Sequence, residues 1–224
     1  MASAVKVAKN GHAPKVVPGI SVSPEPERLE IPAMELRRIV LKIIGTTPLI
    51  MHRWSEKAKK QMRDKQQKKA TIAKEAKDPQ TDFHQATYFI SQDPPRYGFS
   101  VLAFKAAAVD AAVALGGKKT EVRRAFRIDP DVTTLDGPMT EILTDSAPMM
   151  REDMVRVGMG TADLRYRPEF VTWRANLKIT FDARQISAAQ IVTLFRQAGF
   201  STGIGEWRPE KDGIYGCFDV EGVE

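Results

Sequence analysis

The sequence predicts an α+β chain with a ferredoxin-like (RRM-like) βαββαβ core, an antiparallel sheet, a glycine-rich loop before the last strand, and insertions. Three observations carry that expectation. Val171, Trp173, Ala175, Leu177, Ile179 and Phe181 alternate strictly with Thr172, Arg174, Asn176, Lys178, Thr180 and Asp182, the pattern of a strand with one apolar and one wet face. Two helices are signed at their ends: Ser100 before the stripe Val101, Phe104, Ala108, Ala111 and Leu115, and Ser187 with Gln190 before Ile191, Leu194, Phe195 and Ala198. The order of these segments, strand, helix, strands, helix, strand, matches a sheet that leaves one face uncovered.

Residues 1–34 read as an arm, because Pro14, Pro18, Pro24, Pro26 and Pro32 interrupt any regular period. The remainder, 35–224, reads as one domain. From Glu35 the run ELRRIVLKIIGTTPLIMHRW is rich in branched apolar residues and reads as a buried first strand, bent past Gly45 and Pro48.

A basic insertion is expected over about 55–96. Its first part holds nine Lys or Arg against four acids, and it is helical in composition with too few apolar residues to pack one face. DPQTDFHQATYFISQDPPRYG reads as turns. Gly116 and Gly117 end the first core helix, and Lys118, Lys119, Arg123, Arg124 and Arg127 gather around Phe126. An irregular insertion is expected over about 128–170, where Thr133, Pro138, Asp145 and Pro148 mark loops or short strands. Gly199 is expected to cap the second helix, and Tyr215 to Val220 to form the last strand.

The formal charge of +6 favours polyanionic partners, nucleic acid before an acidic membrane surface. No run of about eighteen apolar residues is present, so no membrane-spanning helix is expected, and the lysine-bearing N-terminus lacks the apolar core of a secretory signal. A lone Cys217 excludes an internal disulfide and fits a reducing cytoplasm. Three histidines, His12, His52 and His84, have no cysteine or acidic partners at ligand spacing, so no metal and no cofactor is expected. GIGEWRPEK lacks the Gly-Lys-Ser/Thr ending of a phosphate loop and follows a helix instead of a strand, against nucleotide hydrolysis and dinucleotide binding.

The loop over 198–220 gathers the binding candidates. Gly203 and Gly205 can bring backbone N–H groups close to a phosphate, Trp207 offers a stacking face, and Arg208 and Lys211 supply cations. His52, Arg53 and Trp54, then Lys57, Lys59, Lys60 and Arg63, form a second group; Lys105 on the first core helix joins the cluster that follows it. Arg165 and Arg167 flank Tyr166, and Arg174, Asn176 and Lys178 line the wet face of the alternating strand.

The segments GTTPLIMH (45–52), YGFSVLAFKAAAVDAA (97–112) and GIGEWRPEKDGIYGCF (203–218) resemble those of the RAMP superfamily of CRISPR-associated proteins, in particular its RNA-lined backbone subunits, over about half the chain. The resemblance implies a non-enzymatic protein that binds single-stranded nucleic acid, RNA before DNA, through backbone contacts. It also implies assembly in several copies along the strand with other effector subunits. RNA-cleaving relatives use an acidic residue after the first strand, for which Asp78, Asp82 and Asp93 are available here. Three alternatives stand beside this expectation: a viral-type protein that binds or anneals single-stranded DNA, a metal-independent RNA endonuclease with His52 as base, and a scaffold that assembles without nucleic acid.

Overall fold

The computed structural model describes residues 32–54, 56–68, 78–157 and 161–224. The chain divides into a unit spanning 1–33 and a unit spanning Met34–Glu224. The expected arm falls outside the described residues except for positions 32–34, and so do Lys69 to Lys77 of the basic run.

The described chain is mixed α+β. In order it forms β1 (Leu36–Gly45), β2 (Leu49–Ile50), α1 (Glu56–Gln66), α2 (Pro79–Ala86), β3 (Phe89–Gln92), β4 (Pro95–Ser100), α3 (Val101–Ala114) and α4 (Lys119–Ala125). There follow β5 (Phe126–Asp129), β6 (Val132–Thr134), β7 (Gly137–Ile142), β8 (Met149–Val157), β9 (Thr161–Phe170), β10 (Arg174–Asp182), α5 (Ala188–Ser201), a 3-10 turn (Pro209–Lys211) and β11 (Phe218–Val223).

Four strands form an antiparallel sheet in the order β11-β1-β10-β5. Residue register explains its two faces. Ile39 pairs with Ile179, Leu41 with Leu177 and Ile43 with Ala175, which places one apolar row under α3 and α5. The other parity pairs Val40 with Lys178, Lys42 with Asn176 and Ile44 with Arg174. Phe104 of α3, Phe195 of α5, Trp173 and Phe218 close the core against that apolar row. Each such large side chain, fully removed from water, contributes about 1.5–3 kcal/mol.

Both core helices start where expected. The Ser100 hydroxyl accepts from Leu102 N, and Ser187 and Gln190 form a complete capping box. The second helix runs past Gly199 to Ser201. Gly199 is interior because β11 crosses there: a Cβ at this position would lie 1.8 Å from the Phe218 carbonyl oxygen. Leu115 ends half-exposed beyond the stripe to which the sequence assigned it.

Four segments depart from the sequence expectation. The turn-rich run after residue 78 contains α2, capped by Asp78, and the β3–β4 hairpin, which feeds α3 directly. The region 128–170 is mostly strand: β6 and β7 join β3 and β4 in the sheet β3-β4-β7-β6, while β8 and β9 form a nine-pair hairpin in the sheet β2-β9-β8. The alternating strand starts at Arg174, since Val171 and Thr172 form a bend, and the last strand starts at Phe218, since Tyr215 and Gly216 still belong to the loop.

Candidate nucleic-acid interface

The segment Met51 to Trp54 is the junction on which the candidate residues converge. It leaves β2, ties to the glycine-rich loop through Glu206 N donating to Ile50 O (3.0 Å), and ties to α2 through Arg53 N donating to Ala86 O (2.9 Å). A cleft of about 300 Å³ opens beside it, lined in part by His52, Tyr88, Ser100, Gly205, Glu206 and Arg208.

The glycine-rich loop is packed tightly. Gly203 N donates to Ala198 O, Gly213 N to Arg208 O and Gly216 N to Pro48 O, so those three donors are engaged within the fold. Gly205 has φ +79°, and a Cβ there would stand 2.5 Å from Ile50 O; the residue serves close approach of the loop to β2. Arg208 curls back, Nη1 donating to Gly205 O (3.0 Å) and Nη2 pairing with Glu210 (2.7 Å), while Lys211 lies 3.5 Å from the same carboxylate. Trp207 is 42% exposed. Asp110, Glu206 and Glu210 outnumber Arg208 in the cleft wall, which disfavours a phosphate inside it.

His52 is half-buried, and its Nδ1 accepts from Arg167 Nε at 3.4 Å. Burial, and after it the Arg167 guanidinium, pushes its pKa down to about 4. The ring is therefore neutral at pH 7, and the hydrogen bond assigns its proton to Nε2. A general base needs a free lone pair and a pKa near the working pH, and His52 offers neither in this arrangement.

Arg53 and Lys59 meet on one carboxylate: Arg53 Nε lies 2.5 Å from Asp136 Oδ2 and Lys59 Nζ 2.9 Å from Oδ1. Their cations are thus spent on the turn between β6 and β7. Trp54, at 52% exposure, follows directly. On α1, Lys60 and Arg63 are exposed and form no ion pair among the described residues; the Lys57 side chain lies outside them.

Around α4, Lys118 pairs with Glu121 (3.0 Å), Lys119 with Asp110 (2.7 Å) and Arg127 with Asp129 (2.9 Å). Arg123 and Arg124 are exposed without a carboxylate partner among the described residues. Lys105 turns inward, its ammonium bonded to Phe126 O and 3.3 Å from the Phe126 ring centroid, and burial pushes its pKa down to about 8, with Arg123 adding to the effect.

The wet face of the sheet is charge-matched. Lys178 pairs with Asp131 (2.8 Å) and Arg174 with Asp145 (3.4 Å), while Asn176 is exposed. In the β8–β9 hairpin Arg167 is buried at 2% exposure against Asp153 (3.2 Å) and Glu206 (3.5 Å), and Arg165 sits 4.0 Å from Asp163. The partners Asp136 and Glu206 escaped sequence reasoning, since each lies far along the chain from the cation it neutralises. Among the described residues no group of His, Cys, Asp and Glu is placed to hold a metal. No described helix is long and apolar enough to cross a membrane.

No family model and no curated protein matches the chain. Among solved structures, the chain has a distant similarity to a chain of a CRISPR RNA-guided surveillance complex, with 10% identity, a TM-score of 0.37, and coverage of 83% of this chain and 67% of that one.

Proposed function

We propose that the protein binds single-stranded nucleic acid, RNA before DNA, through contacts to the sugar-phosphate backbone, without catalysing a reaction on it. The observation that carries this reading is the set of exposed cations with no carboxylate partner among the described residues. Lys60 and Arg63 lie on α1, directly after exposed Trp54, and Arg123 and Arg124 lie on α4. Cations left unpaired in a fold that neutralises most others suit phosphate, and an aromatic face beside them suits a base. The strand order β11-β1-β10-β5, with α3 and α5 on one face, supports a ferredoxin-like βαββαβ core with the remaining elements as insertions. Assembly in several copies along a guide-like RNA, in an effector complex of CRISPR type, extends this reading from the sequence resemblance.

Fluorescence anisotropy with labelled single-stranded RNA and DNA of equal sequence tests the proposal. Affinity should fall steeply with salt, and Lys60→Glu with Arg63→Glu should lower both affinity and the slope against log salt, by about one unit per lost phosphate contact. Salt-independent binding, or none, overturns it; a preference for DNA selects the annealing alternative, and cleaved RNA the nuclease one.

A further inference from the structure

β8 is the outer strand of the β2-β9-β8 sheet, paired to β9 along its whole length, and no described backbone group bonds its other edge. Nine residues of unpaired strand edge form a template for a further strand. The exposed parity of β8 reads Met150, Glu152, Met154, Arg156, with Met154 73% exposed. Across β9 the same face carries Leu164 opposite Met154, and Tyr166 opposite Glu152. Leu164 is itself 41% exposed.

We infer that β8 pairs edge to edge with β8 of a second copy, antiparallel about a two-fold axis through Met154. In antiparallel pairing, directly opposed residues share a face, so each register makes a definite set of neighbours. With the axis at Met154, Glu152 of each copy stands opposite Arg156 of the other, twice, and Met154 meets its own symmetry mate. Moving the axis to Glu152 opposes glutamate to glutamate. Moving it to Asp153 opposes Glu152 to Met154 and Met150 to Arg156, pairs no opposite charges, and sets Asp153 against its own symmetry mate. An axis falling between residues lays the exposed row of one copy over the row Arg151, Asp153, Val155 of the other. The favoured register also lines up Leu164, Met154, Met154 of the mate and its Leu164 in one row across four strands, spaced by about 4.8 Å. This closed pair is independent of nucleic acid.

The test uses the full chain freed of nucleic acid by nuclease and high salt, so that its result is separate from that of the binding assay. Light scattering over a concentration series should show a dimer. Glu152→Arg and Arg156→Glu, each alone, should weaken it about tenfold, because like charges then oppose twice. The double swap, Glu152→Arg with Arg156→Glu, should restore it. Met154→Cys should form an intermolecular disulfide under mild oxidant, since directly opposed Cα atoms stand about 4.5–5.5 Å apart, whereas Met150→Cys should not. A wild-type monomer at every concentration overturns the inference. So does a dimer unmoved by the single reversals, one that the double swap fails to restore, or equal cross-linking at both positions.

Discussion

Arg151 and Arg167 stand directly opposite each other across β8 and β9, cation facing cation. The arrangement holds because Asp153 bridges them, Oδ1 2.7 Å from Arg151 Nε and Oδ2 3.2 Å from Arg167 Nη1. Arg151 also donates to the Tyr215 hydroxyl (2.9 Å) and Arg167 reaches Glu206, so this one carboxylate joins the hairpin to the glycine-rich loop. Asp153→Ala leaves a guanidinium buried at 2% exposure against another cation and should cost about 3–5 kcal/mol. Thermal denaturation should show the midpoint falling by about 10 °C. Glu206→Gln, at a partner 40% exposed, should cost far less; equal losses would refute the assignment of Asp153 as the bridge.

Gly199→Ala should destabilise by about 3 kcal/mol, because the added methyl overlaps the Phe218 carbonyl and neither α5 nor β11 can move without opening the core. Gly222→Ala, where the nearest atom is Lys42 Cδ at 3.8 Å, should stay within about 0.5 kcal/mol of the parent. Urea midpoints for the two variants check this pair of outcomes.

The pH dependence of His52 has a definite sign. Its folded pKa, about 4, lies below the ordinary 6.5, so the unfolded chain binds a proton that the folded one refuses. The stability this contributes is complete above pH 6.5 and is lost as pH falls toward 4. Melting curves of the parent and His52→Gln should therefore converge on acidification through that window, and parallel curves would contradict the placement of the ring.

Lys105 acts with the same sign in a higher pH window. A folded pKa of about 8, below the ordinary 10.5, means that stability rises with pH between 8 and 10.5. Lys105→Met should flatten that rise, as read from denaturant midpoints at pH 8 and pH 10.

Trp54→Ala should weaken binding of single-stranded RNA by about 1–3 kcal/mol if its face stacks on a base. Anisotropy titration with an unchanged affinity would assign Trp54 a packing role instead.

The elements legible in the sequence are those whose signals are local. The capping box at Ser187 and Gln190 and the alternation through Ala175, Leu177 and Ile179 depend on neighbours in the chain and on a single covered face. The β8–β9 hairpin is invisible to the same test because its inner parity holds Arg151, Asp153, Arg165 and Arg167. Charges made tolerable by pairing erase the hydropathy contrast on which strand recognition depends. The candidate cations were all identifiable by type, but which of them are spent was not. That depends on Asp136, 83 residues from Arg53, and on Asp131, 47 residues before Lys178.

Glycine-rich segments are usually credited with freedom, and in this loop the glycines serve crowding instead. Its stem is set where Gly199 touches Phe218, and Gly205 rests on the Ile50 carbonyl, so the chain between α5 and β11 has little room to take on length. The tip between β6 and β7 is the opposite case: Leu135 is fully exposed at the turn, one residue from the carboxylate that holds Arg53 and Lys59. A reporter group attached at that tip would sit beside the candidate interface, whereas an insertion in the glycine-rich loop would have to be accommodated by the core itself.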